Sequence, residues 1–313
     1  VHSGGLRFDR AVGPSGYAWW YVDALSDDGT RGLTLIAFIG SVFSPYYAWA
    51  RRRGRHDPLN HCAFNVALYA ARGGRWAMTE RGAAQVHRQT SELSIGTSSM
   101  RMTGDALEIT VDEICAPLPR RLRGSIRVLP SALCAQSFSL DEAGLHRWTP
   151  YAPRARVEVK FTEPAVEWSG VGYFDSNAGD EPLEDAFDSW TWSRASLPNR
   201  TVVLYDVKTR RPSDRTLALE FAPDGAAHPI EVPPTFALPP TGWRLERKTR
   251  ADSGQIAHVV QTLEDAPFYS RSLLDTALLG ARAPAIHESL SLTRFSSPWI
   301  QWMLPFRMPR ITF

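Results

Sequence analysis

Gly16-Tyr17-Ala18-Trp19-Trp20-Tyr21-Val22-Asp23-Ala24-Leu25, then Ser26-Asp27-Asp28-Gly29-Thr30, then Leu33-Thr34-Leu35-Ile36-Ala37-Phe38-Ile39: the chain opens on two strands and the turn between them. Aromatic and β-branched residues fill both runs, as pleated surfaces favour. Asp28-Gly29 supplies the positive φ that a tight hairpin turn requires. The same grammar continues downstream. Strands are expected over 63–70, 76–79, 94–102 and 121–129, with a second hairpin, 99–103 and 106–112, turning at Gly104-Asp105. No convincing amphipathic helix interrupts them. Short strands separated by frequent turn signals indicate an all-β chain built as antiparallel barrels or sandwiches.

The second half echoes the first. Asp188-Ser189-Trp190-Thr191-Trp192-Ser193 leads through Leu197-Pro198-Asn199-Arg200 into Thr201-Val202-Val203-Leu204-Tyr205-Asp206-Val207, repeating the order of tryptophan-rich strand, polar turn and β-branched strand. That repetition favours two related β domains in tandem. The boundary is expected at Tyr151-Ala152-Pro153, giving residues 1–152 and 153–313. Further strands are expected over 156–161, 217–221, 241–247, 256–263 and 289–294, with an irregular loop between Pro233-Pro234 and Pro239-Pro240.

Composition bounds the partners. Over 313 residues the formal charge is +2, so no global field calls for nucleic acid. Cys62, Cys115 and Cys134 are odd in number and widely spaced, which argues against a disulfide framework and fits a reducing compartment. No CxxC run is present, and structural zinc is not expected. Eleven tryptophans suit broad apolar cavities or a lipid interface, and large β cores use them too. Val1-His2-Ser3-Gly4-Gly5 lacks the basic-then-apolar pattern of a signal peptide. Residues 32–50 carry no charge, but Gly40, Ser41, Ser44 and Pro45 break the run. It reads as a buried strand (33–43) and an aromatic loop (44–50) rather than a membrane span. The arginines at 51, 52, 53 and 55 form either a solvated loop or a lip for anionic lipid. The apolar and basic segment 297–310 is either an interfacial anchor or a tail packed on its own domain.

Candidate chemistry sits in two short runs, His146-Arg147-Trp148 and Tyr173-Phe174-Asp175. In a strand, residues two apart share a face. His146 with Trp148, and Tyr173 with Asp175, would bring an imidazole, a carboxyl and two electron-rich rings around one pocket. Such a set can protonate an apolar substrate and shelter the resulting cation. Read plainly, the same residues are core aromatics, an edge histidine and a turn aspartate. Asp23 and Asp188 are alternative acids, while Asp180, Glu181, Glu184 and Asp185 suit a solvated loop.

Several long runs carry a family resemblance. They are Gly16 to Ala24, Phe38 to Arg53, Asn60 to Tyr69, Arg75 to Arg81, Tyr173-Phe174-Asp175-Ser176-Asn177, His287-Glu288-Ser289-Leu290-Ser291-Leu292, and Met303 to Arg310. Together they resemble the acyclic carotenoid 1,2-hydratases, also called hydroxyneurosporene synthases, over essentially the whole chain. The resemblance implies two lipocalin-like domains and a cofactor-free hydro-lyase. Such an enzyme adds water to the terminal double bond of acyclic carotenes, neurosporene and lycopene, giving 1-hydroxy products. It also implies that Asp175 is the proton donor with Tyr173 beside it, and that His146 and Trp148 assist. The expected location is cytoplasmic and peripheral to a membrane, since the substrate is too apolar to cross bulk water. A lipocalin-like carrier, or a cyclase or isomerase using the same acid, are the rival readings.

Overall fold

In the computed structural model the opening hairpin forms where the sequence places it. Strand β1 (Tyr17–Ser26) pairs antiparallel with β2 (Arg31–Ile39), with Trp19 across from Phe38 and Asp23 across from Thr34. Gly29 takes the expected positive φ of 68° at the turn. The structure describes residues 5–71, 73–211 and 213–311; the N-terminal reading rests largely on residues 1–4, outside that range.

The sheet grows through β3 (Cys62–Ala70), β4 (Arg75–Arg81), β5 (Val86–Gln89), β6 (Glu92–Ile95), β7 (Ser98–Thr103), β8 (Ala106–Ile114) and β9 (Arg121–Pro130). A two-residue β10 (Phe138–Ser139) precedes the long hairpin of β11 (His146–Glu163) and β12 (Ala165–Gly179). Strand order is β4-β3-β2-β1-β12-β11-β9-β8-β7-β6-β5, so β12 returns from far along the chain to lie beside β1. The sheet curls until Arg81 of β4 meets Glu113 of β8, 2.8 Å away and buried with it. Alternate residues such as Val22, Leu35, Phe64, Ile109, Val128 and Val157 fill the interior as one apolar core. Residues 94–102, expected as one strand, are two, because Gly96 at positive φ turns the chain between β6 and β7.

A second sheet contains β13 (Phe187–Ser196), β14 (Thr201–Thr209), β15 (Arg215–Phe221), β16 (Ala227–Pro229), β19 (His258–Asp265), β20 (Tyr269–Leu278) and β21 (Ala281–Ser291), in the order β16-β15-β14-β13-β21-β20-β19. Between β16 and β19 the chain forms a separate ribbon, β17 (Thr235–Leu238) with β18 (Arg247–Arg250). It occupies part of the expected proline-bracketed loop. Residues 241–246, expected as strand, form a turn in which Arg244 adopts positive φ. A short β22 (Arg310–Ile311) pairs in parallel with β4.

Two compact units result. One runs to Ser139 and resumes over Leu145–Pro182 and from Trp302 onward; the other takes Leu140–Gly144 and Leu183–Gln301. The boundary expected after residue 152 falls inside β11. Pro153, part of the run expected to mark the break, and Pro150 before it sit where the β11–β12 register slips, between Ala152 and Ala155 and between Thr149 and Ala152. A bulge tolerates a residue with no N–H to give the ladder.

Helices are few. The aromatic loop expected at 44–50 is α1 (Pro45–Arg52). The Ser44 hydroxyl accepts from the Tyr47 N–H at 3.0 Å, Pro45 opens the first turn, and Arg51 and Arg52 face the negative end of the dipole. Single-turn α2 (Leu183–Ala186) and α3 (Leu292–Phe295) flank the second sheet in sequence, and α4 (Pro298–Arg307) follows. Among the described residues no helix is long and apolar enough to cross a membrane, and residues 32–50 divide between β2, a connection and α1.

Candidate active site

Strand parity decides which side chains meet. On β1 the even-numbered Ala18, Trp20, Val22 and Ala24 join the apolar core, leaving Tyr17, Trp19, Tyr21 and Asp23 on the opposite face. The β1–β12 register sets Tyr21 across from Asp175 and Asp23 across from Tyr173, while Phe174 points into the core. Across the other edge of β12, Trp148 stands opposite Asn177 and His146 opposite Gly179. The four expected site residues therefore share one face, the one turned away from the apolar core. All are buried, and Asp175 retains only 4% of its exposure.

Three of the four are bonded to one another. Trp148 Nε1–H donates to Asp175 Oδ2 at 2.8 Å, and the Tyr173 hydroxyl donates to the same oxygen at 2.8 Å. Trp148 Nε1 also lies 3.2 Å from the Tyr173 oxygen. Burial holds the Tyr173 phenol well above its ordinary pKa, and Asp175 beside it, whenever ionised, pushes the same way, so the phenol stays a donor. Asp23, fully buried on the same face, accepts from Tyr21 at a longer 3.3 Å.

His146 belongs to a second hydrogen-bonded group. Its Nδ1 is 2.8 Å from the Tyr17 hydroxyl and its Nε2 is 3.4 Å from Glu181 Oε1. A carboxylate can only accept, which assigns the ring hydrogen to Nε2; in the neutral imidazole Nδ1 then accepts from Tyr17. Tyr17 stacks on Trp19, with ring centroids 5.0 Å apart. Gly179 makes room for the pair: a Cβ there would lie 2.3 Å from Tyr17 Cε1 and 2.7 Å from His146 Nδ1. Glu181, whose side chain is 24% exposed, links this group toward solvent.

Sequence reasoning left out Tyr17 and assigned Glu181 to a solvated loop. Parity on β1 carried part of the signal, since Tyr17, Trp19, Tyr21 and Asp23 alternate like the two runs already singled out. Asp188, the other alternative acid, lies on β13 of the second unit, in an ion pair with Arg210 at 2.9 Å. A pocket of about 520 Å³ opens elsewhere on the first unit, lined by residues that include Arg81, Asp112, Arg121 and Ile311. None of the four site residues lines it, and Arg121 pairs with Asp112 at 2.8 Å within its lining. Among the described residues no group of three or more His, Cys, Asp or Glu is disposed to hold a metal ion, and all three cysteines are buried and free.

Comparison with known proteins gives a family. The profile described as carotenoid hydratase CrtC matches residues 35–312. The acyclic carotenoid 1,2-hydratase of Thiocapsa roseopersicina is 57% identical over 98% of this chain and 76% of its own length. That of Rubrivivax gelatinosus is 50% identical over the same shares. Among solved structures, a protein of Nitrosomonas europaea described as AttH superposes with a TM-score of 0.59 at 13% identity, covering 88% of this chain and 92% of the other. That likeness supports the fold alone, two curled β units of lipocalin-like type.

Proposed function

The chain belongs to the carotenoid hydratase family, a family of hydro-lyases, and from that membership we propose that it hydrates the terminal 1,2 double bond of acyclic carotenes such as neurosporene and lycopene, with Asp175 as the acid. The observation that carries this reading is the convergence of two donors, Trp148 Nε1–H and Tyr173 O–H, on one oxygen of a buried carboxyl group.

An alkene is a weak base, so the donor must be a neutral carboxylic acid. Aspartate ordinarily ionises at about 3.9; removal from water favours its neutral form, and this burial has to outweigh the two donors to Oδ2, which favour the carboxylate. In the acid form, Oδ2 uses both lone pairs to accept from Trp148 and Tyr173, and the transferable proton rides on Oδ1. Delivery to C2 of the trisubstituted alkene leaves the cation on tertiary C1, which sets the regiochemistry. As the proton leaves, negative charge develops on the carboxyl group, and both donor bonds become charge-assisted. They strengthen toward the transition state, which is the condition for raising the rate rather than merely the affinity. The rings of Trp148 and Tyr173 flank the acid and can each offset the new cation by about 1–2 kcal/mol through their π faces.

Water must then add to C1 and lose a proton. Tyr17, His146 and Glu181 form the chain suited to receive it. Water gives its proton to the Tyr17 oxygen while the Tyr17 hydroxyl proton passes to Nδ1 of His146, and the Nε2–H of the resulting imidazolium faces Glu181.

The test is incubation of the purified chain with lycopene in detergent and isotopically labelled water. A more polar product, heavier by one labelled water, supports the reading. Saturable binding without product would make the protein a carrier. A product of unchanged mass would make it a cyclase or isomerase.

A further inference from the structure

Helix α4 presents two apolar faces, and only one of them is covered. Ile300, Gln301 and Leu304 are buried, and the Gln301 side-chain amide anchors the helix by donating to the Phe295 carbonyl at 2.8 Å. Trp299, Trp302, Met303 and Phe306 follow the spacing i, i+3, i+4, i+7 and fall on a single stripe. That stripe faces outward. Trp302 and Phe306 are each 74% exposed, with Trp299 at 51% and Met303 at 43%. Soluble surfaces seldom display four large apolar side chains in one row.

We infer that this stripe docks the enzyme on the surface of a lipid bilayer with anionic headgroups. Three features select lipid over other occupants. Tryptophan and phenylalanine, at three of the four positions, are the residues that settle at the boundary between headgroups and acyl chains. No acidic residue occurs between Phe295 and Ile311, while Arg294 and Arg307 bracket the helix. The Arg307 guanidinium lies over the Trp76 ring at 4.7 Å, which leaves its charge available to a phosphate. The chemistry supplies the third, since a long polyene partitions into lipid and has to be collected there. This last argument rests on the proposed substrate; the first two do not.

The experiment uses the full chain and vesicles free of carotene, made of phosphatidylcholine with a fraction of phosphatidylglycerol. Co-sedimentation is compared for the unmodified protein and the double variant Trp302→Ser, Phe306→Ser, with thermal unfolding showing that both are folded. The unmodified chain is expected to pellet with vesicles and to shift its tryptophan emission to the blue. The double variant is expected to partition at least about tenfold more weakly, from the apolar area lost. Failure of the unmodified chain to bind, or equal binding by the variant, overturns the inference. So does light scattering that shows a dimer reduced to monomer by the variant with vesicle binding unchanged, because a second copy would then cover the stripe. Since the vesicles hold no substrate, absence of hydration with lycopene in detergent would overturn the functional reading while leaving this one standing.

Discussion

Asp23 and Asp175 occupy mirrored positions on neighbouring antiparallel strands: each closes a Tyr-x-Asp run, and each lies across from the other's tyrosine. Asp175 receives two donors at 2.8 Å, from a tryptophan and a tyrosine, and Asp23 accepts from the Tyr21 hydroxyl at 3.3 Å. Asp175→Asn keeps the shape and removes the acid, so hydration should fall by roughly 10³-fold or more, with the fold and carotene binding retained. Asp23→Asn should keep most of the turnover. Product formation from lycopene, followed by chromatography, separates the two, and a dead Asp23→Asn beside an active Asp175→Asn would reverse the assignment.

Tyr173→Phe and Trp148→Phe each keep an aromatic ring while deleting one donor to Oδ2. If the donors act on charge that develops during proton transfer, each variant should lose about 10²-fold in kcat with KM little changed. A variant that weakens binding and leaves kcat intact would make these side chains walls of the site and nothing more. Because burial and Asp175 hold the Tyr173 phenol well above its usual pKa, its ionisation should contribute no fall in kcat below pH 10.

How far this site could be read in advance depended on distance along the chain. Pairing within His146–Trp148 and within Tyr173–Asp175 follows from alternation, which any strand imposes. The bond from Tyr17 to His146 spans 129 positions and exists because β12 inserts beside β1, a pairing no local pattern announces. The hairpin β1–β2 was legible through Asp28-Gly29, and so was its echo in β13–β14. Helix α1 carried a local signature, Ser44 before Pro45, that its aromatic content disguised as an irregular loop. At Pro153 the opposite happened, as a residue that usually ends strands marks a bulge in one continuous strand.

Gly179 offers a test of the second hydrogen-bonded group. In Gly179→Ala the new methyl would press on the Tyr17 ring and on His146 Nδ1, at 2.3 and 2.7 Å. Both neighbours are rigid rings, so relief requires displacing the pair. The expected cost is about 1–3 kcal/mol of stability, read by urea unfolding, with a fall in turnover as the Tyr17–His146 bond opens. Tyr17→Phe keeps the stacked ring and removes only the hydroxyl. It should slow hydration roughly 10²-fold at nearly unchanged stability. Full activity in Tyr17→Phe would take the relay out of the mechanism.

His287 lies in the run His287-Glu288-Ser289, one of the stretches that carried the family resemblance, yet it belongs to the second unit and is fully buried there. Its Nε2 is 3.1 Å from the Ser289 hydroxyl. Burial, and next the charge of Arg247, push its pKa down to about 3, with Asp206 opposing them. An unfolded histidine titrates near 6.5. Between those values the unfolded chain takes up a proton that the folded one refuses. This residue's contribution to stability is therefore constant above pH 6.5 and is lost as pH falls toward 3, at up to about 1.4 kcal/mol per pH unit. Urea unfolding at pH 4, 5, 6 and 7 should show that slope in the unmodified protein and a shallower one in His287→Asn. The asparagine leaves a polar partner for Ser289 and removes the titrating group. Parallel slopes would assign the acid sensitivity to other groups. A flattened slope with hydration intact at pH 7 would mark this histidine as a neutral core residue, conserving the fold of the second unit rather than serving the chemistry.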